Sequence, residues 1–216
     1  MATKGDLSRQ RIIEKSLQLF SVKGYFHTSV SDILEATGIS KGGLYGHFRS
    51  KEEIWSAAYD QCKHIWKQIA FSGIRDISDP LERIRKVIEN ILMNYLGAGI
   101  FEGGCLMFNS LVEFSRQSSN MNDHILQGFK DFSFLLHSWL REAEQREMLI
   151  DGLDLNETAN FIVIALSGSG PLYISSKDPA VLKLTLSQLS LFIDLLRKRE
   201  PVQRKKGTNR NACSVP

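Results

Sequence analysis

Apolar residues recur at helical spacing along almost the whole chain. In residues 7–23, the spacing of Ile12, Leu17 and Phe20 is typical of one buried helical face, and Gly24 follows as a stop signal. Runs that alternate apolar and polar residues, as half-buried strands do, are too short to predict a sheet. The pattern therefore predicts an all-α protein.

Start signals divide this pattern into separate helices. A Ser or Asp just before the first turn accepts hydrogen bonds from free backbone amides, and an acidic residue three positions later can return the bond. Such signals stand at Ser29 with Asp32, Ser40, Ser50 with Glu53, Asp79 before Pro80, Asp154 with Glu157, and Asp178 before Pro179. The fourth helix is predicted to run from residue 51 to about residue 71.

The second and third predicted helices form a compact pair. Both helices are short, and they are joined by the tight turn 37–40. Two short helices joined in this way are typical of a helix-turn-helix, whose second helix enters the DNA major groove. The third helix is predicted to span residues 40–48. An apolar seam is predicted to hold the pair on the first helix: Ile33, Leu34, Ile39, Leu44 and Phe48.

Two adjacent glycines lie in the first turn of the third helix, where each costs about 1 kcal/mol of helix stability. A close approach of this part of the backbone to DNA would explain Gly42 and Gly43, because a side chain at either position would hold the backbone away from the DNA. Free amides and partial positive charge at a helix start also suit phosphate. A glycine-rich connector between ordinary helices is the alternative interpretation.

Charge is distributed unevenly along the chain. Residues 1–51 carry 8 Lys and Arg against 4 Asp and Glu, residues 52–196 carry 12 against 19, and the remainder carries 7 against 1. A basic head on an acidic body indicates a polyanionic partner for the head, although solvated charge runs are also common. The basic tail, residues 200–216, has almost no apolar content and is predicted to be disordered.

Several other classes of protein find no support in the sequence. No apolar run has the length of a membrane span, and the N-terminus lacks the apolar segment of a signal peptide. Three cysteines, Cys62, Cys105 and Cys213, form no CxxC pair or zinc set, so we predict a reducing cytoplasmic setting and no metal. SGSGP, residues 167–171, interrupts an apolar helix but lacks the features of a dinucleotide loop, so it predicts a kink or close helix approach and no cofactor.

The stretch TSVSDILEATGISKGGLYGHFRSKEEIW, residues 28–55, closely resembles the DNA-binding signature of TetR-type (TetR/AcrR) transcriptional repressors. The resemblance covers about residues 10–55, with many positions in register. It implies a homodimer with a three-helix DNA-binding domain, residues 1–50, joined by a long helix to a helical ligand-binding and dimerisation domain, residues 51–199. An effector in the body would then change the distance between the two heads.

The resemblance also implies DNA contacts position by position. The predicted DNA-binding residues are Thr28, Ser40, Lys41, Gly42, Gly43, Leu44, Tyr45, His47 and Lys51. Of these, Thr28, Tyr45 and Lys51 match phosphate-holding positions, and the others fall at the start of the recognition helix or beside its aromatic pair. The alternatives are that Tyr45 is a half-buried ring of the core and that His47 is a packing residue. Lys41 could contact either guanine or phosphate.

Cys105 lies within GIFEGGCLMFNSLVEFS, residues 99–115, in the first turn of a predicted apolar helix. Thiols at helix N-termini have lowered pKa values and are reactive. The stretch is similar to GC-L segments in one branch of TetR-type repressors, some of which sense oxidants or electrophiles through such a cysteine. The alternative is that Cys105 packs as a small buried apolar residue.

A pocket is predicted in the body, where aromatic residues are frequent. The resemblance implies a small hydrophobic or electrophilic effector held between the body helices. Asn109 and Glu113, four residues apart on one helix, are predicted to supply polar groups to the pocket. The predicted ligand-binding residues are Cys105, Phe108, Asn109, Glu113, Phe129 and Trp139.

The last apolar segments are predicted to form the dimer interface, because they carry more apolar residues than a small body can bury. The predicted interface residues are Val181, Leu184, Leu186, Leu189, Phe192, Ile193 and Leu196. The sequence thus predicts a ligand-responsive repressor of a near-palindromic operator, without catalytic residues. Two alternatives remain: a ligand-independent architectural DNA-binding protein, and a cysteine hydrolase that pairs Cys105 with His124 or His137, for which no catalytic motif is present.

Overall fold

The computed structural model describes residues 3–115 and 120–198. Their helices are α1 (Lys4–Lys23), α2 (Val30–Thr37), α3 (Lys41–Tyr45), α4 (Lys51–Ala70), α5 (Pro80–Glu89), a π-helical segment (Asn90–Leu96) that continues α5, α6 (Leu106–Phe114), α7 (Asn120–Gln145), α8 (Leu155–Ser176) and α9 (Ala180–Leu196). These ranges contain no β-strand, and the predicted all-α fold is confirmed. Within them, no helix combines the length and the apolar character needed to cross a membrane. The predicted disordered tail, with Cys213, lies outside the described residues.

Side-chain caps begin five helices at predicted positions. Ser29 forms a capping box at α2, and the Oγ atoms of Ser40 and Ser50 accept backbone N–H bonds at α3 and α4. Asp79 and Asp154 accept two backbone N–H bonds each at α5 and α8. These bonds satisfy amides that have no partner inside the helix, which is why the local sequence is sufficient to place the starts.

The end of one helix needs correction, and two other predictions concern α8 and α9. α3 ends at Tyr45 rather than at residue 48, because Gly46 follows and favours helical backbone weakly. α9 begins at Ala180, directly after Pro179, and the Ala180 amide N–H donates to Oδ1 of Asp178 at 2.9 Å, so the predicted start signal is used. α8 runs through residues 167–171 without ending, although Pro171 lies inside it, and the predicted kink or close helix approach there stays a prediction.

Helices α1 to α3 form the head around an apolar cluster. Its fully or almost fully buried members include Ile12, Leu17, Phe20, Ile33, Leu44 and Phe48. The Lys23 ammonium ion pairs with Asp32 at 2.8 Å and, together with Ser29, holds the pKa of that carboxyl below its usual range. α1 also packs along α4, so the head rests on the first helix of the body.

Helices α4 to α9 form the body, in which α5 is tied to several neighbours. Arg83 donates to Glu142 of α7 at 2.7 Å, and Arg85 donates to Asp194 of α9 at 2.5 Å. The buried Asn90 amide donates to backbone carbonyls at the end of α4 and just after it, at 3.1 and 2.9 Å. Ion pairs and a buried amide therefore position α5 and the π segment against α4, α7 and α9.

α8 and α9 present an exposed apolar face. Its large exposed residues are Phe161, Ile164, Leu172, Leu184, Leu191 and Leu195. Of the predicted interface residues, Leu184 is exposed, and Val181, Leu186 and Phe192 are half-buried. Leu189, Ile193 and Leu196 are instead buried within the chain, because the other side of α9 packs against α5 and α8. The prediction for these three is corrected: they belong to the core.

Candidate DNA interface and effector cavity

The first turn of α3 is open to solvent. Lys41 is exposed, and a Cβ atom added at Gly42 would meet nothing within 4 Å. Tyr45, one turn later, is 45% exposed. The Ser40 Oγ accepts the Gly43 amide N–H at 3.2 Å, which fixes the start of this turn. Lys41, Gly42 and Tyr45 are therefore accessible to a duplex, as their predicted role requires.

The next positions of α3 serve the head core. A Cβ atom at Gly43 would lie 2.9 Å from Cγ2 of Ile39, so glycine permits the close packing of α3 on the preceding turn. Leu44 is completely buried, and His47 is half-buried. The prediction that Leu44 faces DNA is therefore corrected, since its side chain anchors α3 to the core.

Thr28 and Lys51 use their side chains inside the head. Thr28 is fully buried, and its hydroxyl donates to the Gly24 carbonyl at 2.6 Å. The Lys51 ammonium donates to the carbonyls of Tyr25 and Thr28 at 2.9 and 3.0 Å and lies 4.2 Å from the centroid of the Tyr25 ring. The predicted phosphate contact of the Thr28 side chain is corrected, because its hydroxyl is buried and braces the loop between α1 and α2. The half-buried Lys51 ammonium braces the same loop, and its predicted phosphate contact stays a prediction.

The body contains an apolar cavity of about 430 Å³, bounded by α4, the π segment, α6, α7 and α8. Its aromatic wall is formed by Tyr59, Trp66, Phe71, Tyr95, Phe108, Phe129 and Phe132. Its polar lining residues are Lys63, Lys67, His124, Gln127, Asp131 and Ser167. The predicted residues Cys105, Phe108 and Phe129 all line this cavity. A concave apolar site with a few polar groups suits a small organic molecule.

The other three predicted ligand-binding residues lie outside the cavity. The Asn109 side chain donates to the Gly103 carbonyl at 2.8 Å. The Trp139 ring packs edge-on against Phe71, with centroids 6.4 Å apart. Glu113 points to the head, as described next. The predictions for Asn109, Glu113 and Trp139 are corrected, because their side chains are used in packing and in hydrogen bonds elsewhere.

The head–body joint is formed by α6 and the loop before it. The Glu113 carboxylate accepts the backbone N–H groups of Tyr25 and Phe26, both at 2.9 Å. Gly103 approaches α1 so closely that a Cβ atom there would lie 1.7 Å from the Ser21 carbonyl oxygen. Hydrogen bonds from amides to a carboxylate are about twice as strong as neutral ones. α6 therefore lines the cavity and at the same time holds the end of α1.

Two thiols meet at the hydroxyl of Tyr95 in the cavity wall. Tyr95 Oη lies 3.5 Å from Sγ of Cys62 and donates to Sγ of Cys105 at 3.9 Å. Burial raises the pKa of Cys62 to about 12 and also raises the pKa of Cys105, although backbone amides at the start of α6 oppose that rise. The predicted low pKa of Cys105 is wrong, because desolvation outweighs the helix N-terminus.

Neither histidine of the hydrolase alternative forms a dyad with Cys105. His124 Nε2 lies 3.2 Å from Lys63 Nζ and 3.6 Å from Asp60 Oδ1. The ring of His137 stacks with a phenylalanine of its own helix. The hydrogen-bond partner of the Cys105 thiol is a tyrosine hydroxyl. This geometry gives no activated nucleophile.

Sequence reasoning missed Tyr59, Cys62 and Tyr95. Trp55, Tyr59 and Cys62 recur at helical spacing on α4, which indicates a buried face but does not distinguish core from cavity. Tyr95 is 33 residues from Cys62 and meets it only through the packing of the π segment on α4. No local pattern predicts that meeting.

A three-helix head with an open recognition helix, on a larger helical body, defines a helix-turn-helix transcription regulator. Residues 12–58 match the family described as "Bacterial regulatory proteins, tetR family". Residues 80–189 match the family described as "Tetracyclin repressor-like, C-terminal domain". The second match alone covers half of the chain. The protein belongs to the TetR family of DNA-binding transcriptional regulators, which confirms the resemblance noted in the sequence.

Individual relatives agree with this assignment. An uncharacterized HTH-type transcriptional regulator of Lactococcus lactis is 32% identical over 126 residues, which are 57% of this chain and 63% of that protein. The HTH-type transcriptional repressor DhaR of a Mycobacterium species is 26% identical over 162 residues, 74% of this chain and 79% of DhaR. The crystal structure of a TetR regulator from Chloroflexus aurantiacus superposes with a TM-score of 0.83 at 24% identity, over 90% of this chain and 98% of that one, and supports the fold.

Proposed function

We propose that the protein is a dimeric repressor that binds a near-palindromic operator and leaves it when a small apolar effector enters the cavity. The observation that carries this proposal is the double role of α6. This helix lines the cavity through Met107 and Phe108 and holds the α1–α2 loop through Glu113. An effector that displaces α6 must therefore also displace the head. A ligand-independent architectural protein would have no use for such a cavity.

The exposed apolar face of α8 and α9 supports a two-fold dimer. Apolar patches of this kind on a soluble protein mark interaction surfaces, and closed two-fold pairing is the commonest way in which identical chains cover them. Two α3 helices could then enter successive major grooves about 34–36 Å apart. An effector that prefers the non-binding arrangement by a few kcal/mol is sufficient to empty the operator.

The proposal is tested by selecting an operator from a pool of random duplexes with the purified protein. Titration of the selected duplex then gives the operator affinity and its dependence on salt. Selection of a two-fold symmetric sequence supports the proposal, and recovery of unrelated sequences with equal affinity contradicts it. A panel of small aromatic compounds is then tested for release of the bound operator.

Replacement of Lys41 by Ala is expected to weaken operator binding by about 1–3 kcal/mol if the ammonium reads a base, or to reduce the salt slope by about 1 if it pairs with phosphate. The reason is that Lys41 is exposed in the first turn of α3, where a duplex would approach. Fluorescence anisotropy at several salt concentrations measures both quantities. Lys130→Ala, an exposed lysine of the body, is the control. Unchanged affinity and salt slope in Lys41→Ala would remove α3 from the interface.

An electrophile-sensing repressor that acts through Cys105 remains the alternative form of this function. The contact of both Cys62 and Cys105 with Tyr95 favours it, because it places two thiols beside the cavity. The raised pKa of each thiol opposes it, because the thiolate is the reactive form. Reactivity of Cys105 decides between the two forms.

In a Cys213→Ser background, alkylation of Cys105 by iodoacetamide is expected to be slower at pH 7.4 than that of an unstructured peptide cysteine. Its pKa is raised, so the thiolate fraction is smaller at every pH below that value. The rate should continue to rise with pH through the range above about pH 8.5 in which the rate of an ordinary thiol levels off. Peptide mass spectrometry follows Cys105 separately from Cys62. A plateau below pH 8 would establish an activated thiol and the sensing alternative.

A further inference from the structure

Tyr59 lies in the cavity wall with an unpaired hydroxyl. The side chain is fully buried, lines the cavity, and finds no hydrogen-bond partner for its Oη among the described residues. Buried hydroxyls are nearly always paired, because an unpaired one has lost its bonds to water without replacement. The other unpaired buried side-chain groups of the described chain, on Ser16, Trp55 and Ser110, do not line the cavity.

The ring of Tyr59 is clamped, so its hydroxyl has a fixed direction. The ring stacks on Trp55, with centroids 5.0 Å apart and planes at 24°, and the His124 ring meets it edge-on at 5.4 Å. Lys63 Nζ lies 5.5 Å from the ring centroid. Opposite the hydroxyl is Gly128 of α7, where an added Cβ atom would lie 3.6 Å from Oη. A side chain at position 128 would therefore be in van der Waals contact with the hydroxyl.

The hydroxyl acts as a proton donor at physiological pH. Burial raises the pKa of Tyr59 above its usual range, with smaller contributions from Cys105, Cys62 and Asp60, so the phenol keeps its proton. A neutral phenol in an apolar wall gives one O–H bond to an acceptor and repels no neutral ligand.

The remaining lining of the cavity disfavours a charged ligand. Most of the cavity wall is aromatic or aliphatic, and the polar side chains that lie beside the Tyr59 ring are Lys63 and His124. At the polar positions, the Lys63 ammonium pairs with Asp60 at 2.9 Å, and Gln127 donates to Asp131 at 2.8 Å. Lys63 and Asp131 thus have partners, and Lys67 is exposed to solvent, so an ion in the cavity would lose its hydration without gaining a buried, unpaired counter-charge.

We infer that the cavity takes a neutral aromatic molecule that carries a hydrogen-bond acceptor, such as a ketone oxygen, and that Tyr59 donates its O–H to this acceptor. The inference rests on the proposed function, because it names the chemical class of the effector for the same cavity. Tyr59 is then a specificity residue: its hydroxyl gains a partner from an acceptor-bearing ligand and none from a hydrocarbon of equal size.

The test compares two probes of nearly equal shape, 2-acetylnaphthalene and 2-ethylnaphthalene, on the full-length dimer. Binding is followed by isothermal titration and by tryptophan fluorescence, to which Trp66 of the cavity wall contributes. The wild-type protein is expected to prefer the ketone. Tyr59→Phe should weaken binding of the ketone by about 3- to 10-fold, which corresponds to the loss of one neutral hydrogen bond. It should change the affinity for the hydrocarbon by no more than about twofold.

Two controls accompany this comparison. Tyr173→Phe removes a hydroxyl from a half-buried tyrosine of α8 that does not line the cavity, and it should change neither affinity. The thermal midpoint of Tyr59→Phe should equal or exceed that of the wild type, since the lost hydroxyl has no partner within the chain. The ligand affinities of Tyr59→Phe and the wild type can therefore be compared between two folded proteins.

Each of three outcomes would overturn the inference. They are an unchanged ketone-to-hydrocarbon ratio in Tyr59→Phe, tighter binding of the anion 2-naphthoate than of the ketone, and binding of neither neutral probe. The proposed repressor function fails differently: the protein selects no operator, or a probe that binds the cavity leaves operator affinity unchanged. The two failures are therefore distinguishable.

Discussion

Ile164→Arg is expected to convert the proposed dimer to monomers and to weaken operator binding about 100-fold or more, since a second linked contact contributes about 10²- to 10⁴-fold in avidity. Ile164 is 69% exposed on α8, within the apolar face proposed as the dimer seam. A guanidinium there would be desolvated twice in a two-fold interface, once from each chain, without a partner charge. The isolated chain should fold normally, because the side chain is already in solvent.

Sedimentation velocity measures the dissociation of this variant, and anisotropy with the selected operator measures its affinity. Ile150→Arg is the matched control, since Ile150 is 43% exposed but lies in the turn between α7 and α8, outside the apolar face. Circular dichroism verifies that both variants are helical. A dimeric Ile164→Arg protein with unchanged operator affinity would show that the chains pair through another surface.

Glu113→Ala is expected to lower the free energy of unfolding by about 1.5–3 kcal/mol, the usual worth of hydrogen bonds to a charged group. The substitution leaves the amides of Tyr25 and Phe26 without their carboxylate partner. The head then loses the contact that α6 uses to orient it. We therefore also expect weaker operator binding and a smaller response to any effector that releases the wild-type protein.

Urea unfolding gives the stability change, and operator titration with and without effector gives the coupling. Glu102→Ala removes an exposed carboxylate from the loop before α6 and controls for the change in net charge. Glu113→Gln keeps one acceptor oxygen and should restore part of the stability. If Glu113→Ala retains both its stability and its full effector response, the carboxylate does not couple the body to the head.

Some predictions from sequence were right because the interactions that decide them are local. The caps at Ser29, Ser40 and Ser50 accept amides three positions ahead, so a short window of sequence contains both partners. The two glycines in the first turn of α3 have different surroundings in the structure: Gly42 faces open space, whereas Gly43 packs against Ile39. Spacing predicts their position in the turn and leaves their surroundings undetermined.

Predictions failed where a side chain had a choice of distant partners. Asn109 and Glu113 share one face of α6, as their spacing predicts. That face meets α1, the loop after α1 and the loop before α6 instead of the cavity. Thr28 matches the family position, yet its hydroxyl turns inward to a carbonyl four residues earlier. A motif places a residue in a neighbourhood, and the packing around it selects the direction of the side chain.

The sequence by itself determined the helices, the helix-turn-helix and membership of the TetR family, because these rest on caps, apolar periodicity and residues in register. Only the tertiary structure decided which groups enclose the cavity, where Tyr59, Tyr95 and Cys105 come together from α4, the π segment and the start of α6. It also decided that Glu113 belongs to the head–body joint and that the Cys105 thiol lies in a buried setting that raises its pKa. Burial and partner choice depend on surfaces brought together from distant parts of the chain, and no short window of sequence contains both sides of such a contact.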